Sequence, residues 1–149
     1  MQTTRHATGA ADALAAVLTG RRVTAVGGGD RLDLTLDGPV TVRVTGEFRL
    51  TRPTEVTRCF PALTVRPTGA LLTLVGRTVR AARVTPGGGL ELAFSAATEA
   101  VATAEAGPGS RTLSVPPHAL LGPWSVTTPG GTRFASLPGG EVVRTEDTD

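Results

Sequence analysis

Between Arg31 and Leu36 apolar and polar residues alternate without a break, placing Leu32, Leu34 and Leu36 on one face and Asp33 and Thr35 on the other. A period of two is the signature of a strand buried on one side. Arg22 to Val26 alternates in the same way, and Gly27-Gly28-Gly29-Asp30 between the two runs predicts a β-hairpin. Asp37-Gly38-Pro39 turns the chain again, and Val40 to Thr45, Glu47 to Thr51 and Glu55 to Cys59 read as three further strands. The later chain follows suit, with predicted strands over Thr78 to Val84, Leu90 to Ser95, Thr112 to Val115, Trp124 to Thr127, Thr132 to Ser136 and Glu141 to Arg144. From Ala10 to Leu18 the period changes. Leu14, Val17 and Leu18 share one helical face, and Gly20 follows as a terminator. Residues 1–8 and 145–149 are polar or acidic without period and are expected to fray.

The chain also echoes itself. Leu18-Thr19-Gly20-Arg21-Arg22-Val23-Thr24-Ala25 returns 56 residues later as Leu74-Val75-Gly76-Arg77-Thr78-Val79-Arg80-Ala81. Leu32-Asp33-Leu34-Thr35-Leu36 is answered by Leu90-Glu91-Leu92-Ala93-Phe94, and Thr68 to Val75 repeats the first helix in shorter form. The same alignment sets Trp124 against Phe48 and Phe134 against Arg58. Internal repetition dictates architecture before any local reading does. The expected fold is therefore mainly β (α+β), with two tandem β-meander repeats, each preceded by a short helix. They pack with pseudo-two-fold symmetry as a partly open barrel or a sandwich. One domain over residues 1–149 holds repeat 1 at 9–66 and repeat 2 at 67–144, with an insertion at 96–110 that has no counterpart in the first half.

Composition narrows the function classes. Hydrophobic residues make up 40% and aromatics 3%, so the core must be aliphatic and each of Phe48, Phe60, Phe94, Trp124 and Phe134 carries weight. The 15 basic residues are all Arg. A pI of 9.9 alongside a net charge of only +2 reflects the high pKa of arginine rather than a cationic surface. A single cysteine, Cys59, rules out an intramolecular disulfide and suits a reducing cytoplasm. No signal peptide is read at the N-terminus, and no apolar run approaches the roughly 20 residues that cross a bilayer. The expected protein is soluble and cytoplasmic, with no membrane partner.

Motifs for chemistry are weak. His6 lies in the polar start, and His118, after Pro116-Pro117, has no Gly-x-Ser-x-Gly elbow to serve. Cys59 follows Arg58, whose charge would favour a thiolate, but its place in a mixed strand favours a buried filler. The triple-glycine turns lack the Gly-Lys-Ser/Thr ending of a phosphate loop. Asp30, Asp33 and Asp37 lack the calcium-loop pattern, so no metal and no cofactor is expected. Arg43, Arg49, Arg58 and Arg66 could form a stripe, yet acids intersperse the arginines and stacking aromatics are scarce, which reads as a solvated face and no nucleic-acid partner.

The ordered set Gly76-Arg77-Thr78-Val79, Leu90-Glu91-Leu92-Ala93-Phe94, Val115-Pro116-Pro117, Trp124-Ser125-Val126 and Leu137-Pro138-Gly139-Gly140 resembles an uncharacterised family of short proteins of high-GC bacteria, a domain of unknown function. The likeness spans most of residues 18–144. This chain departs from the pattern in the 96–110 insertion, in lacking an acidic-aromatic pair before Trp124 and in ending on Val142-Val143-Arg144 without a second Trp. The resemblance implies the fold and, for function, an accessory or immunity-like binding protein.

Two functions follow as expectations. The first is a small non-enzymatic protein-binding module that uses Trp124, Arg133 and His118 in the more divergent second repeat, because Trp and Arg are typical interface anchors. The second is a binder of a small apolar ligand, or an enzyme without a recognisable motif, using a cavity between the repeats. Enzymatic activity stays undecided and the less expected of the two. The partner is another protein or a small apolar ligand, and a homodimer is compatible with either.

Overall fold

Alternation in the sequence becomes alternation of burial in space. In a computed structural model, which describes residues 2–6, 9–52, 55–60, 71, 74–85, 87–94, 111–116, 122–137 and 142–148, the first half forms α1 (Ala10–Leu18), β2 (Val23–Gly27), β3 (Leu32–Leu36), β4 (Val40–Val44), β5 (Phe48–Arg52) and β6 (Glu55–Cys59). The second half forms β7 (Val79–Val84), β8 (Leu90–Phe94), β9 (Arg111–Val115), β10 (Trp124–Thr127), β11 (Thr132–Ser136) and β12 (Val142–Thr148). Leu32, Leu34, Leu36, Val40, Val42 and Val44 are fully buried, while Asp33, Thr35, Thr41 and Arg43 between them reach solvent. The predicted Ala10 to Leu18 helix and the predicted strands agree with the structure to within a residue or two, apart from the longer β12. His118, the 96–110 insertion and most of the Thr68 to Val75 helix lie outside the described residues.

The ends of the chain correct the sequence reading. Gln2–His6 is a strand, β1, paired antiparallel with β12 from Gln2 opposite Thr148 to His6 opposite Arg144. Residues 2–6 and 145–148 carry no apolar alternation in the sequence, and the register between them is that of a main-chain antiparallel ladder.

Pairing between strands produces two antiparallel sheets that do not close into a barrel. One runs β1-β12-β11-β10-β4-β3-β2 and the other β6-β5-β9-β8-β7. The chain therefore changes sheets twice. After the β2-β3-β4 meander it crosses to place β5 and β6 beside β9, and after the β7-β8-β9 meander it crosses back to place β10, β11 and β12 beside β4. This corrects the picture of two self-contained meanders: each half completes the sheet that the other half begins. Phe134 and Arg58, aligned by sequence, differ in setting, one buried and the other exposed.

One apolar core lies between the sheets. It draws Leu34, Val42, Trp124, Val126 and Phe134 from the first sheet, Phe48, Leu50, Leu92, Phe94 and Leu113 from the second, and Leu14 and Leu18 from α1. At the corner where the sheets approach each other, Arg22 and Thr78 form an isolated bridge. Four main-chain hydrogen bonds flank it in two reciprocal pairs. Gly20 donates to Val79 and Gly76 to Val23, and Val23 donates to Arg77 and Val79 to Arg21, all at 2.8 Å. Gly20 and Gly76 both hold φ at +90°, a left-handed conformation open to glycine and strained for other residues. Both β2 and β7 shift register just beyond, between Val23 and Ala25 and between Val79 and Ala81.

Candidate functional site

The polar phase of the alternation in β3, β4, β10 and β11 forms the outer face of the seven-stranded sheet. Residues opposite one another in an antiparallel pair project to the same side. The register sets Asp33, Arg43, Ser125 and Ala135 in one row across these strands and Thr35, Thr41, Thr127 and Arg133 in the next. Thr41, Ser125 and Thr127 give the centre short hydroxyl side chains, and Arg43 and Arg133 stand on either side of it. Strand spacing and rise put the two arginine Cα atoms about 12 Å apart, on a diagonal across β10.

Short side chains between long ones leave grooves. One, of ≈ 310 Å³, is lined by Thr41, Arg43, Ser125, Thr127 and Arg133. A second, of ≈ 300 Å³, shares Arg43, Ser125 and Arg133 and extends past Thr45, Gly122 and Ser136. Both arginines are exposed, but their surroundings differ. Arg43 donates from Nε to Asp33 Oδ1 at 2.9 Å, and Asp33 also accepts from Arg31 at 3.3 Å. Arg133 makes no ion pair or side-chain hydrogen bond among the described residues. The face therefore presents one arginine restrained by a carboxylate and one that is not.

The structure separates the residues singled out from sequence. Arg133 is on this face. Trp124 borders the second groove but is 1% exposed, with its ring in the core and its Nε1 donating to the Gly88 carbonyl at 3.0 Å. That bond ties β10 of one sheet to the β7–β8 turn of the other, so the indole is a cross-link between sheets and not a free surface for a partner. His118 lies outside the described residues. Sequence reasoning missed Thr41, Arg43, Ser125 and Thr127 as a group. Their polar phase in the alternation was legible, but the adjacency of β4 and β10, some 80 residues apart, was not.

Other reactive groups are quiet. Cys59 is half-buried beside the core, and burial raises its thiol pKa above the ordinary value, which favours the protonated filler over a nucleophile. Arg77, the sequence counterpart of Arg21, is 5% exposed; burial, and then the charge of Arg111, lower its pKa. Among the described residues no cluster of three His, Cys, Asp or Glu side chains could hold a metal ion. No described helix is long and apolar enough to cross a membrane.

No curated protein and no solved structure matches the chain. Residues 14–145 match DUF6188, and the chain thus belongs to this family of unknown function, whose extent takes in the second half of α1 and the strands β2 to β11, among them the four that build the arginine-flanked face.

Proposed function

We propose that this protein is a non-enzymatic binding module that docks an acidic segment of a partner protein on the outer face of its seven-stranded sheet, in an accessory or immunity-like role. The observation that carries this reading is Arg133: an exposed guanidinium, without a carboxylate partner among the described residues, beside a strip of hydroxyls that can accept and donate hydrogen bonds. A guanidinium pairs with carboxylates in bidentate geometry, and the Ser125 and Thr127 hydroxyls would donate to the remaining oxygens. Among the described residues lining the two grooves there is no histidine, cysteine or carboxylate to act as a base, which supports binding over catalysis.

The small-apolar-ligand reading has less support. The cavities found among the described residues are open grooves on outer surfaces or at the seam, of ≈ 140 to ≈ 420 Å³, while the residues between the sheets are packed to near-zero exposure. We also infer that the two halves are copies of one unit related by a pseudo-two-fold axis through the Arg22–Thr78 bridge. The reciprocal hydrogen bonds and the paired left-handed glycines support this. A duplicated scaffold frees one copy to diverge, and Ser125, Thr127 and Arg133 all come from the second half. A bacterial cytoplasm suits the all-arginine composition and the single thiol.

Calorimetry with an octaglutamate peptide tests the binding reading. Wild-type protein binds with an affinity that falls as salt rises, and Arg133→Glu weakens it at least tenfold, since replacing attraction by repulsion at a rim site changes binding by more than about 1.4 kcal/mol. Equal binding by wild type and Arg133→Glu overturns the assignment of the face.

A further inference from the structure

The outer face of the five-stranded sheet carries a feature that its own fold does not explain. Arg49 on β5 and Arg58 on β6 are directly opposite each other in the antiparallel register, and therefore project to the same side. Both are exposed, and neither has an ion pair or a side-chain hydrogen bond among the described residues. Side chains in such a pair start about 5 Å apart at Cβ, and like charges there are destabilising. On the same face Arg83 is paired to Glu91 at 3.0 Å.

A guard against edge-to-edge aggregation accounts for a charge on β6, which is the edge strand. It does not account for Arg49, one strand further in. The row continues from Arg49 to Ser114 on β9 and then to Glu91 on β8, whose carboxylate is taken up by Arg83, and Arg49 and Ser114 both line a groove of ≈ 140 Å³. Two guanidinium forks and a neighbouring hydroxyl in one row on one side of a sheet are a donor set for a tetrahedral oxyanion. A carboxylate would neutralise one of the two charges; a dianion neutralises both.

We propose that Arg49 and Arg58 form a binding site for a phosphate group, with Ser114 as an additional donor. The site is separate from the Arg133 face and does not depend on it. The test is thermal unfolding of the full chain at pH 7.5 in 20 mM sodium phosphate, against sodium chloride of equal ionic strength, with O-phosphoserine as a second arm to distinguish an esterified phosphate from the free anion. With a dissociation constant on the order of 5 mM, ligand linkage raises the wild-type midpoint by roughly 2–4 °C in phosphate. Arg58→Gln relieves the repulsion and raises the midpoint in chloride by about 1 °C, but abolishes the response to phosphate. Arg83→Gln, on the same face, keeps the response. Equal midpoints in phosphate and chloride, or an Arg58→Gln protein that responds like wild type, overturn the proposal and leave an adventitious ion only.

Discussion

Replacing Trp124 by Phe separates a structural role from a contact role in one experiment. The indole is 1% exposed and its Nε1 donates to the Gly88 carbonyl at 3.0 Å, with Gly88 itself buried. Phenylalanine keeps most of the ring but removes the donor, leaving a buried carbonyl without that partner, which costs about 1–2 kcal/mol. The smaller ring buries roughly 40 Å² less apolar surface, and at about 25 cal/mol per Å² this adds about 1 kcal/mol. The total is about 2–3 kcal/mol, a fall in melting midpoint of roughly 5–10 °C for a chain of this size. Urea unfolding followed by far-ultraviolet circular dichroism, which needs no tryptophan, measures it, with an unchanged m-value showing that the same surface is exposed on unfolding. Octaglutamate binding by Trp124→Phe should match wild type. A loss below about 0.5 kcal/mol, smaller than a typical single hydrogen bond, refutes the cross-link. Unchanged stability with lost binding would restore Trp124 as a contact residue.

Other substitutions probe the frame and the face. An alanine Cβ at Gly122 would sit 2.2 Å from the Ser136 carbonyl oxygen, a main-chain atom, so Gly122→Ala should destabilise by about 1–3 kcal/mol in the same urea assay. Gly20→Ala and Gly76→Ala should each cost about 1–2 kcal/mol, and by similar amounts, because both hold φ at +90° and make reciprocal bonds across the seam. Asp33→Asn releases Arg43 from its 2.9 Å ion pair and should tighten octaglutamate binding about fivefold while changing stability by less than about 1 kcal/mol. The Cys59 thiol has a pKa raised by burial above its ordinary value of 9.0, so the folded state holds its proton where the unfolded state loses it. Its contribution to stability is present below pH 9 and is lost as pH rises through the folded value; Cys59→Ala should remove that alkaline slope in denaturation measured from pH 8 upward.

The elements were legible because burial on one side of a strand writes itself into the chain. Leu32 to Leu36 and Leu90 to Phe94 show it plainly, and the glycine-rich turns mark where runs end. Partners were not legible. Alternation says that Thr41 and Arg43 face out and that Ser125 and Thr127 do too, but it does not say that β4 lies beside β10 and not beside β5. The link between β4 and β5 is only three residues, Thr45 to Glu47, yet it carries the chain from one sheet to the other. Trp124 misled for a related reason. Its indole nitrogen needs a partner, and that partner, the Gly88 carbonyl, is supplied by a distant turn that the local sequence does not reveal; only the shared phase with Val126 signalled burial. Of the terminal strands, the start of β12 was legible from Val142 and Val143, whereas β1 and the polar end of β12 carry no apolar alternation to mark them. Arg133 was legible as an exposed candidate in the divergent half, and the structure adds its neighbours.

A nuclear magnetic resonance titration of the isotope-labelled full chain with octaglutamate separates a built binding face from diffuse attraction to arginines. Octaglutamate should produce saturable shifts confined to Thr41, Arg43, Ser125, Thr127 and Arg133 and their immediate neighbours on the seven-stranded sheet. Shifts spread evenly over arginines of both sheets, or shifts that never saturate, would show diffuse electrostatic attraction and contradict a built binding face.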